Sequence, residues 1–523
     1  MNRRQFLTRS AGALLAAGAG SALASSTPAE AAPGFRTADG RWQKAYDAAL
    51  AVLAGNVRTL PQYGQPVLME GSSYNGIWME CGPHEALVYR KFRPEVARHS
   101  HLVFFALQRA DGQLPANIKA TEAGFGQIQM VVPIAATAWE LAQASGDEEL
   151  LHSAYSAASR WDAWLMRHRN TRGTGLIEGF CTYDTGNDNS PRWAGIPDRC
   201  PNRDAKQLPP LLSLPRLCPD LSATAYGARL ALAAMAIAMG KSTEAERWTE
   251  SAAKIRASIL SRLYVAEDAA FYDLDAQDRP VRIRSEILTR MCGEHLPDQT
   301  LFDELWQRQI HHPKAFWAPY PLPSVALDDA AFVRPIPRNS WGGAAQALTA
   351  LRAGRWFEHY GRAAEYGVLL NRWCEAIQRD MTFRQQIDPL SGAFTQEDTP
   401  NYSPCALVMM DATWRLAGIC EEAETLHWNI RPAHPAAQSA RFRMKTNGGR
   451  QARLRYDARG AELSLAGVAL GRIESGAARL VTDKAGRLLA LLGIDEAPQK
   501  IVLRVAGQPP RTVSLLPNQH IPL

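Results

Sequence analysis

No block of five or six like charges occurs anywhere in the 523 residues, and the formal net charge is only +6, from 58 basic and 52 acidic side chains. A nucleic-acid-binding face needs clustered cations, so that class is set aside. Neither CxxC nor HExxH is present, and His311-His312 and the spaced His99 and His101 read as surface or core histidines, so no metal and no cofactor is expected. Cysteine is scarce, at eight residues, too few to scaffold a chain this long. No apolar run reaches the ~20 residues a membrane-spanning helix needs. What is abundant is core material: 46% of residues are apolar and 21% charged, which excludes a disordered or fibrous chain.

The N-terminal residues read as a signal rather than as fold. Arg3-Arg4-Gln5-Phe6-Leu7 precedes an Ala/Gly-rich, mildly apolar stretch and then small residues, the pattern of a twin-arginine export signal over residues 1–31. The expectation is a periplasmic or secreted protein that meets the twin-arginine translocase during export and has no membrane span. An oxidising compartment permits a bridge between Cys200 and Cys218, both in the Pro-rich stretch Pro197–Pro219.

From Trp42 to Gly418 the periodicity is helical. Leu151, Ala154, Ala158, Trp161 and Leu165 share one helix face, as do Ala245, Trp248, Ala252, Ile255, Ile259 and Leu263. Thr243 and Glu246 have capping-box spacing at the start of the second. Segments apolar on nearly all sides (131–141, 223–239, 344–351) are each followed by amphipathic ones (148–167, 243–264, 356–379). The inner and outer rings of an (α/α) barrel give that alternation, because an inner helix is covered all round. Long loops rich in Gly, Pro, Asp and Trp, 172–219 and 316–338, return to the inner ring, and such loops on a rigid scaffold carry sites. After residue 431 the pattern turns to period two, as in Ala452–Tyr456, Glu462–Leu465 and Lys500–Val505, with Arg459-Gly460 as a turn. The expected domains are residues 32–430, a mainly α barrel, and 431–523, a small β-sandwich.

Four loops pair aromatic rings with amides or acids, the combination that stacks on sugar faces and binds hydroxyls. The first is Asp184-Thr185-Gly186-Asn187-Asp188-Asn189-Ser190-Pro191-Arg192-Trp193, a poor helix and a good rigid loop. A carboxyl desolvated beside Trp rings can stay protonated near neutral pH, as a general acid must; the same residues could equally form an Asx-turn that only shapes the loop. The others are Tyr74–Pro83, with Trp78 and Glu80; Arg338–Gly343, with Asn339 and Trp341; and Phe383–Pro404, with Gln385, Glu397 and Tyr402.

In this order, over Gly71–Gly418, the four segments resemble the (α/α)6-barrel six-hairpin glycosidases related to glycoside hydrolase family 63 and the mannosylglycerate-hydrolase-like enzymes. Asp184–Trp193 is similar to that group's Glu-Ser-Gly-x-Asp-Asn-Ser-Pro segment, Trp78-Met79-Glu80 to its Trp-x-Asp segment, Gln108–Gly112 to its Gln-x-x-Asp-Gly turn, and Gln385–Gly392 to its Glu-x-x-x-Pro-x-(Ser/Thr)-Gly segment. The resemblance implies an (α/α)6 toroid and an inverting glycoside hydrolase. It makes Asp188 the general acid and Trp78, Asp184, Trp193, Asn339, Trp341, Gln385 and Tyr402 the residues lining an oligosaccharide, polysaccharide or other glycoside. Gln385 stands where the family has its general base, and a neutral amide cannot take a proton from water. Glu397, Glu80 and Asp398 are the carboxylates that could replace it, Glu397 favoured because it shares the segment. Two rival readings follow from the same residues: a polysaccharide lyase using Tyr402, Arg338 and Arg384, and a sugar-binding protein with a decayed site.

Overall fold

The computed structural model describes residues 33–396 and 400–523; the expected export signal, and Glu397 and Asp398, lie outside the described residues. Among the described residues, twelve α-helices run through the first four-fifths of the chain: α1 (Gly40–Asn56), α2 (Gly82–Tyr89), α3 (Pro94–Ala106), α4 (Ile134–Ser145), α5 (Glu148–His168), α6 (Pro219–Ala238), α7 (Ser242–Arg262), α8 (Ile287–Gly293), α9 (Gln299–Leu305), α10 (Ala347–Arg352), α11 (Ala363–Asp380) and α12 (Ser403–Ala417). Even-numbered helices pack on one another, α2 on α4, α4 on α6, α6 on α8, α10 on α12 and α12 back on α2. A 3-10 turn, Ala353–Arg355, bridges α8 and α10. Odd-numbered helices pack against them in turn, α7 on α6, α5 on α4, and α1 on α12.

Local chemistry sets the helix boundaries. Asp147 caps α5 by accepting from Leu150 N at 2.9 Å; Glu148 and Glu149 occupy its first turn and Arg167 and His168 its last, each sign opposing the helix dipole. Its buried face holds Ala154, Ala158, Trp161 and Leu165, as the spacing predicts. The capping box expected of Thr243 and Glu246 is not formed: α7 starts one residue earlier, at Ser242, behind Lys241, with no side-chain cap. Helix α6 is apolar and long enough to cross a membrane by composition alone, but most of it is buried against α4, α5, α7 and α8.

The C-terminal region is two antiparallel sheets. A five-stranded sheet starts at Ile419–Glu421, earlier than residue 431. The seven-stranded sheet takes its edge strand, Gly34–Arg36, from the start of the described chain, paired with Arg441–Lys445. Phe35 packs edge-on against Tyr46 and tilted against Phe442 there, tying α1 to the sandwich, and Tyr456 Oη donates to Ala417 O at 2.8 Å at the end of α12.

All eight cysteines are buried free thiols. The expected Cys200–Cys218 bridge is not formed: Cys218 Sγ donates to Arg216 O, whereas Cys200 Sγ lies 3.8 Å from Cys181 Sγ.

Candidate active site

The segment 182–193 is anchored at almost every residue. Asp184 is fully buried: its carboxylate accepts from the backbone N–H of Ile128 (2.8 Å), Phe180 (2.7 Å) and Cys181 (3.2 Å), and pairs with Arg169. Arg192, also buried, makes bidentate bonds to both Asp220 (2.7 and 2.8 Å) and Asp273 (2.6 Å twice) and reaches Asn187 Oδ1 at 3.0 Å. Asn187 in turn donates to Glu286 at 3.0 Å. Trp193 is 2% exposed, its indole N–H given to Thr185 Oγ1. In this segment Asn189, at the tip, is exposed, and Asp188 beside it is half-buried, as are Tyr183 and Pro191.

At that tip a chain of hydrogen bonds joins all four loops. Asn339 Nδ2 donates to Asp188 Oδ2 at 2.9 Å, Gln385 Nε2 donates to Asn339 Oδ1 at 2.7 Å, and Tyr74 Oη donates to Gln385 Oε1 at 2.7 Å. Asn189 Nδ2 donates to Asn339 O (2.7 Å), and Trp341 N to Asp188 O (3.0 Å). Gln385 is held in turn by a two-residue strand pairing of Ala345–Gln346 with Gln386–Ile387. The amide at 385 thus has a structural reason: it must accept from a phenol and donate to an amide oxygen, and a carboxylate cannot donate. Gln385 orients Asn339, and Asn339 orients Asp188.

Burial, then the neighbouring Glu80 carboxylate, pushes the Asp188 carboxyl up from 3.8 to about 7; the bond from Asn339 only partly offsets this. Glu80, at the start of the α2 loop, lies against the tip from the other side. A methyl group on Gly186, whose φ is +63°, would sit 1.7 Å from Glu80 Oε2. Burial raises the Glu80 pKa, and the Arg352 and Arg290 guanidiniums oppose that rise. Two more buried acids stand behind it. Glu70 is raised well above its usual range by burial and by Glu85 and Glu80, and Glu85 is raised to about 7 chiefly by burial. Asp188 and Glu80 are thus two buried carboxyls side by side, both raised by burial, with only Glu80 facing two arginines that partly offset the rise; paired carboxyls in unlike environments are what acid/base chemistry uses.

Gly186→Ala should therefore be costly out of proportion to its size. The added methyl must displace Glu80 or the tip, and up to ~10²-fold of kcat/KM should be lost with the far-UV spectrum unchanged, as expected for ångström-scale misplacement.

The structure brings Asp188, Glu80, Asn339 and Gln385 together, with half-buried Trp78 edge-on to Tyr74 at 5.7 Å. Trp341 is 2% exposed, packed with Cys81 and Leu348 under Trp78, so it supports the site from below. Besides Trp341, three further expected substrate contacts are corrected. Asp184 and Trp193 are core residues whose polar atoms are consumed inside the loop. Tyr402 is fully buried, its hydroxyl donated to Glu70 at 2.6 Å, which also removes it as a lyase base. Asp184→Asn should leave Arg169 buried beside a neutral amide and cost about 3–5 kcal/mol, read as a lowered urea midpoint at unchanged slope.

Sequence reasoning missed Tyr74 as a positioning group, though it opens a segment already singled out, and missed Gln129, Glu286, Arg290 and Arg352, which have no local motif. Gln129 hydrogen-bonds Glu80, and its backbone runs along the acid loop. The described residues hold three clusters with metal-ligand spacing: Cys181/Asp184/Cys200, Cys218/Asp220/Asp273 and Glu358/Glu422/His427. Each has an arginine bonded to at least one of its carboxylates (Arg169 to Asp184, Arg192 to Asp220 and Asp273, Arg479 to Glu358), so a guanidinium supplies positive charge there.

Residues 74–403 match the family model of the mannosylglycerate hydrolase MGH1-like glycoside hydrolase domain. Among solved structures, the GH63 mannosylglycerate hydrolase of Thermus thermophilus, in complex with Tris and D-glycerate, superposes with a TM-score of 0.57 at 20% identity, covering 70% of this chain and 99% of that one. The GH78 rhamnosidase of Bacillus sp. GL1 gives 0.55 at 12% identity, covering 83% of this chain and 41% of that one. The neutral trehalase of Saccharomyces cerevisiae gives 0.52 at 12% identity, covering 69% and 79%. No curated protein matches the chain.

Proposed function

Since the chain belongs to the MGH1-like glycoside hydrolase family and is a glycosidase, we propose that it is an exported, inverting enzyme built on an (α/α)6 toroid, with Asp188 as its general acid. The observation that carries this reading is the Asp188 carboxyl itself, half-buried at the tip of an anchored loop, held by Asn339 and raised to about 7.

Asp188 gives its proton to the glycosidic oxygen as the C1–O bond breaks, so the leaving group departs as an alcohol. Water attacks C1 from the opposite face while a second carboxylate takes its proton; inversion requires ~6.5–9.5 Å between the two carboxyl groups. We assign this second role to Glu80, the buried carboxylate against the loop tip, where Arg290 and Arg352 oppose the rise in pKa that burial causes. Trp78 and Tyr74 offer rings to the sugar. The packing order of the even-numbered helices supports the toroid, and the pattern of residues 1–31 supports export.

The test is a panel of glycosides followed by proton NMR from the first turnover. It starts with mannosyl- and glucosyl-glycerate, because the family's solved relatives hold D-glycerate and glucose. Release of a sugar whose first-formed anomer is opposite to the substrate's supports the proposal; retention of configuration overturns the mechanism. An unsaturated product absorbing in the ultraviolet would indicate a lyase, and binding without turnover a sugar-binding protein.

A further inference from the structure

We propose that Cys181 and Cys200 form a redox-controlled disulfide that clamps the proton-donor loop. Their sulfurs are 3.8 Å apart, and both side chains are buried, at 0% and 3% exposure. The two arms of the loop that bring them together are already joined through the backbone. Thr182 N donates to Pro197 O at 3.0 Å, Tyr183 N donates to Asp198 O at 3.1 Å, and Cys200 N is fixed by Gly126 O at 3.0 Å. Closing the bond therefore asks for side-chain rotation rather than backbone movement. Between the two cysteines lie Asp184, Asp188 and Trp193.

The same sulfurs and Asp184 have the spacing of a metal site, but Arg169 occupies it. Its guanidinium bonds both Asp184 oxygens and approaches Cys200 Sγ at 3.6 Å, over the Phe180 ring. A cation there would face a fixed positive charge at contact distance, whereas a disulfide carries none.

The oxidant is a small disulfide such as oxidised glutathione. One cysteine thiolate attacks it, expelling a glutathione thiolate and leaving a mixed disulfide. The second cysteine thiolate attacks the protein sulfur, expelling the other. Two electrons and no atoms other than protons leave the protein. Because both thiols are buried, the exchange takes place while the loop is open, during folding or refolding.

The full chain is refolded in a glutathione buffer, and thiols are counted under denaturation, followed by peptide mapping without reductant. The expected result is two thiols fewer than the eight in the sequence, a cross-linked Cys181–Cys200 peptide pair, and a Tm ~3 °C or more above that of the reduced protein. Cys218→Ser should leave the count of lost thiols at two, and Cys181→Ser should abolish it. Eight free thiols in wild type, or Cys200 paired with Cys218, overturns the proposal. So does one equivalent of zinc that disappears in Cys181→Ser. The wild-type count needs no variant to fold, and it is independent of whether the sugar chemistry proposed above is right.

Discussion

Asp188→Asn is expected to lower kcat/KM on a glycoside with a poor leaving group by ~10²–10⁴-fold, the usual contribution of a general acid, while aryl glycosides that leave without protonation lose far less. The contrast between the two substrates is the diagnostic, because a merely structural loop residue would slow both alike. Wild-type activity needs the protonated carboxyl, so kcat/KM should fall as pH rises through about 7, and that limb should vanish in the variant. Stability has the same sign. A carboxyl raised from 3.8 to about 7 binds a proton more tightly in the folded state than in the unfolded one. Its stabilising contribution is complete below pH 3.8 and is lost as pH rises through about 7. Asp188→Asn, which carries no ionisable group, should therefore melt above wild type at pH 8 and alongside it at pH 4. Equal melting temperatures at pH 8 would mean that the carboxylate is solvated at no cost, and the role of burial would have to be given up.

The loop that carries Asp188 is legible because the run Asp-Asn-Ser-Pro-Arg-Trp is a poor helix and a good rigid turn. The same run misleads about its neighbours. Composition identifies residue types that can bind sugar but not which way they point, and Trp193 and Asp184 point inward, toward partners such as Thr185 and Arg169. The site's remaining charges come from helices α8 and α10 and the residue that opens α8. Glu286, Arg290 and Arg352 are brought to Glu80 and Asn187 by the packing of helices far apart in sequence. Helix legibility follows length. Helices α5 and α7 run 21 residues each and show five or six periodic apolar positions. Helices α8 and α9, of seven residues each, make only two turns, too few to show a period. The sandwich is readable from alternation, except for its first edge strand, Gly34–Arg36, where three residues cannot show a period and the partner lies four hundred residues on.

The missing base has a definite expected answer. Glu80→Gln should reduce hydrolysis of natural and aryl glycosides alike by ~10²–10⁴-fold, since deprotonating the attacking water is required whatever the leaving group. Sequence reasoning prefers Glu397 because it shares a segment with Gln385. Gln385, however, is engaged as the positioning amide of Asn339, so its segment already has a role that is not proton removal. Glu80 lies against Gly186 beside Asp188, with Oε2 buried and accepting no hydrogen bond and with two arginines favouring its charge. An unpaired buried carboxylate oxygen is costly to maintain, and a bound water or sugar hydroxyl would satisfy it. Azide supplies a nucleophile that carries its own charge and needs no base. Adding it to Glu80→Gln should restore turnover as a glycosyl azide of inverted configuration, and should do nothing for Asp188→Asn on a poor leaving group. If Glu80→Gln retains wild-type rate while Glu397→Gln is inactive and rescued by azide, the base is Glu397. Full activity in both variants would transfer the role to Asp398.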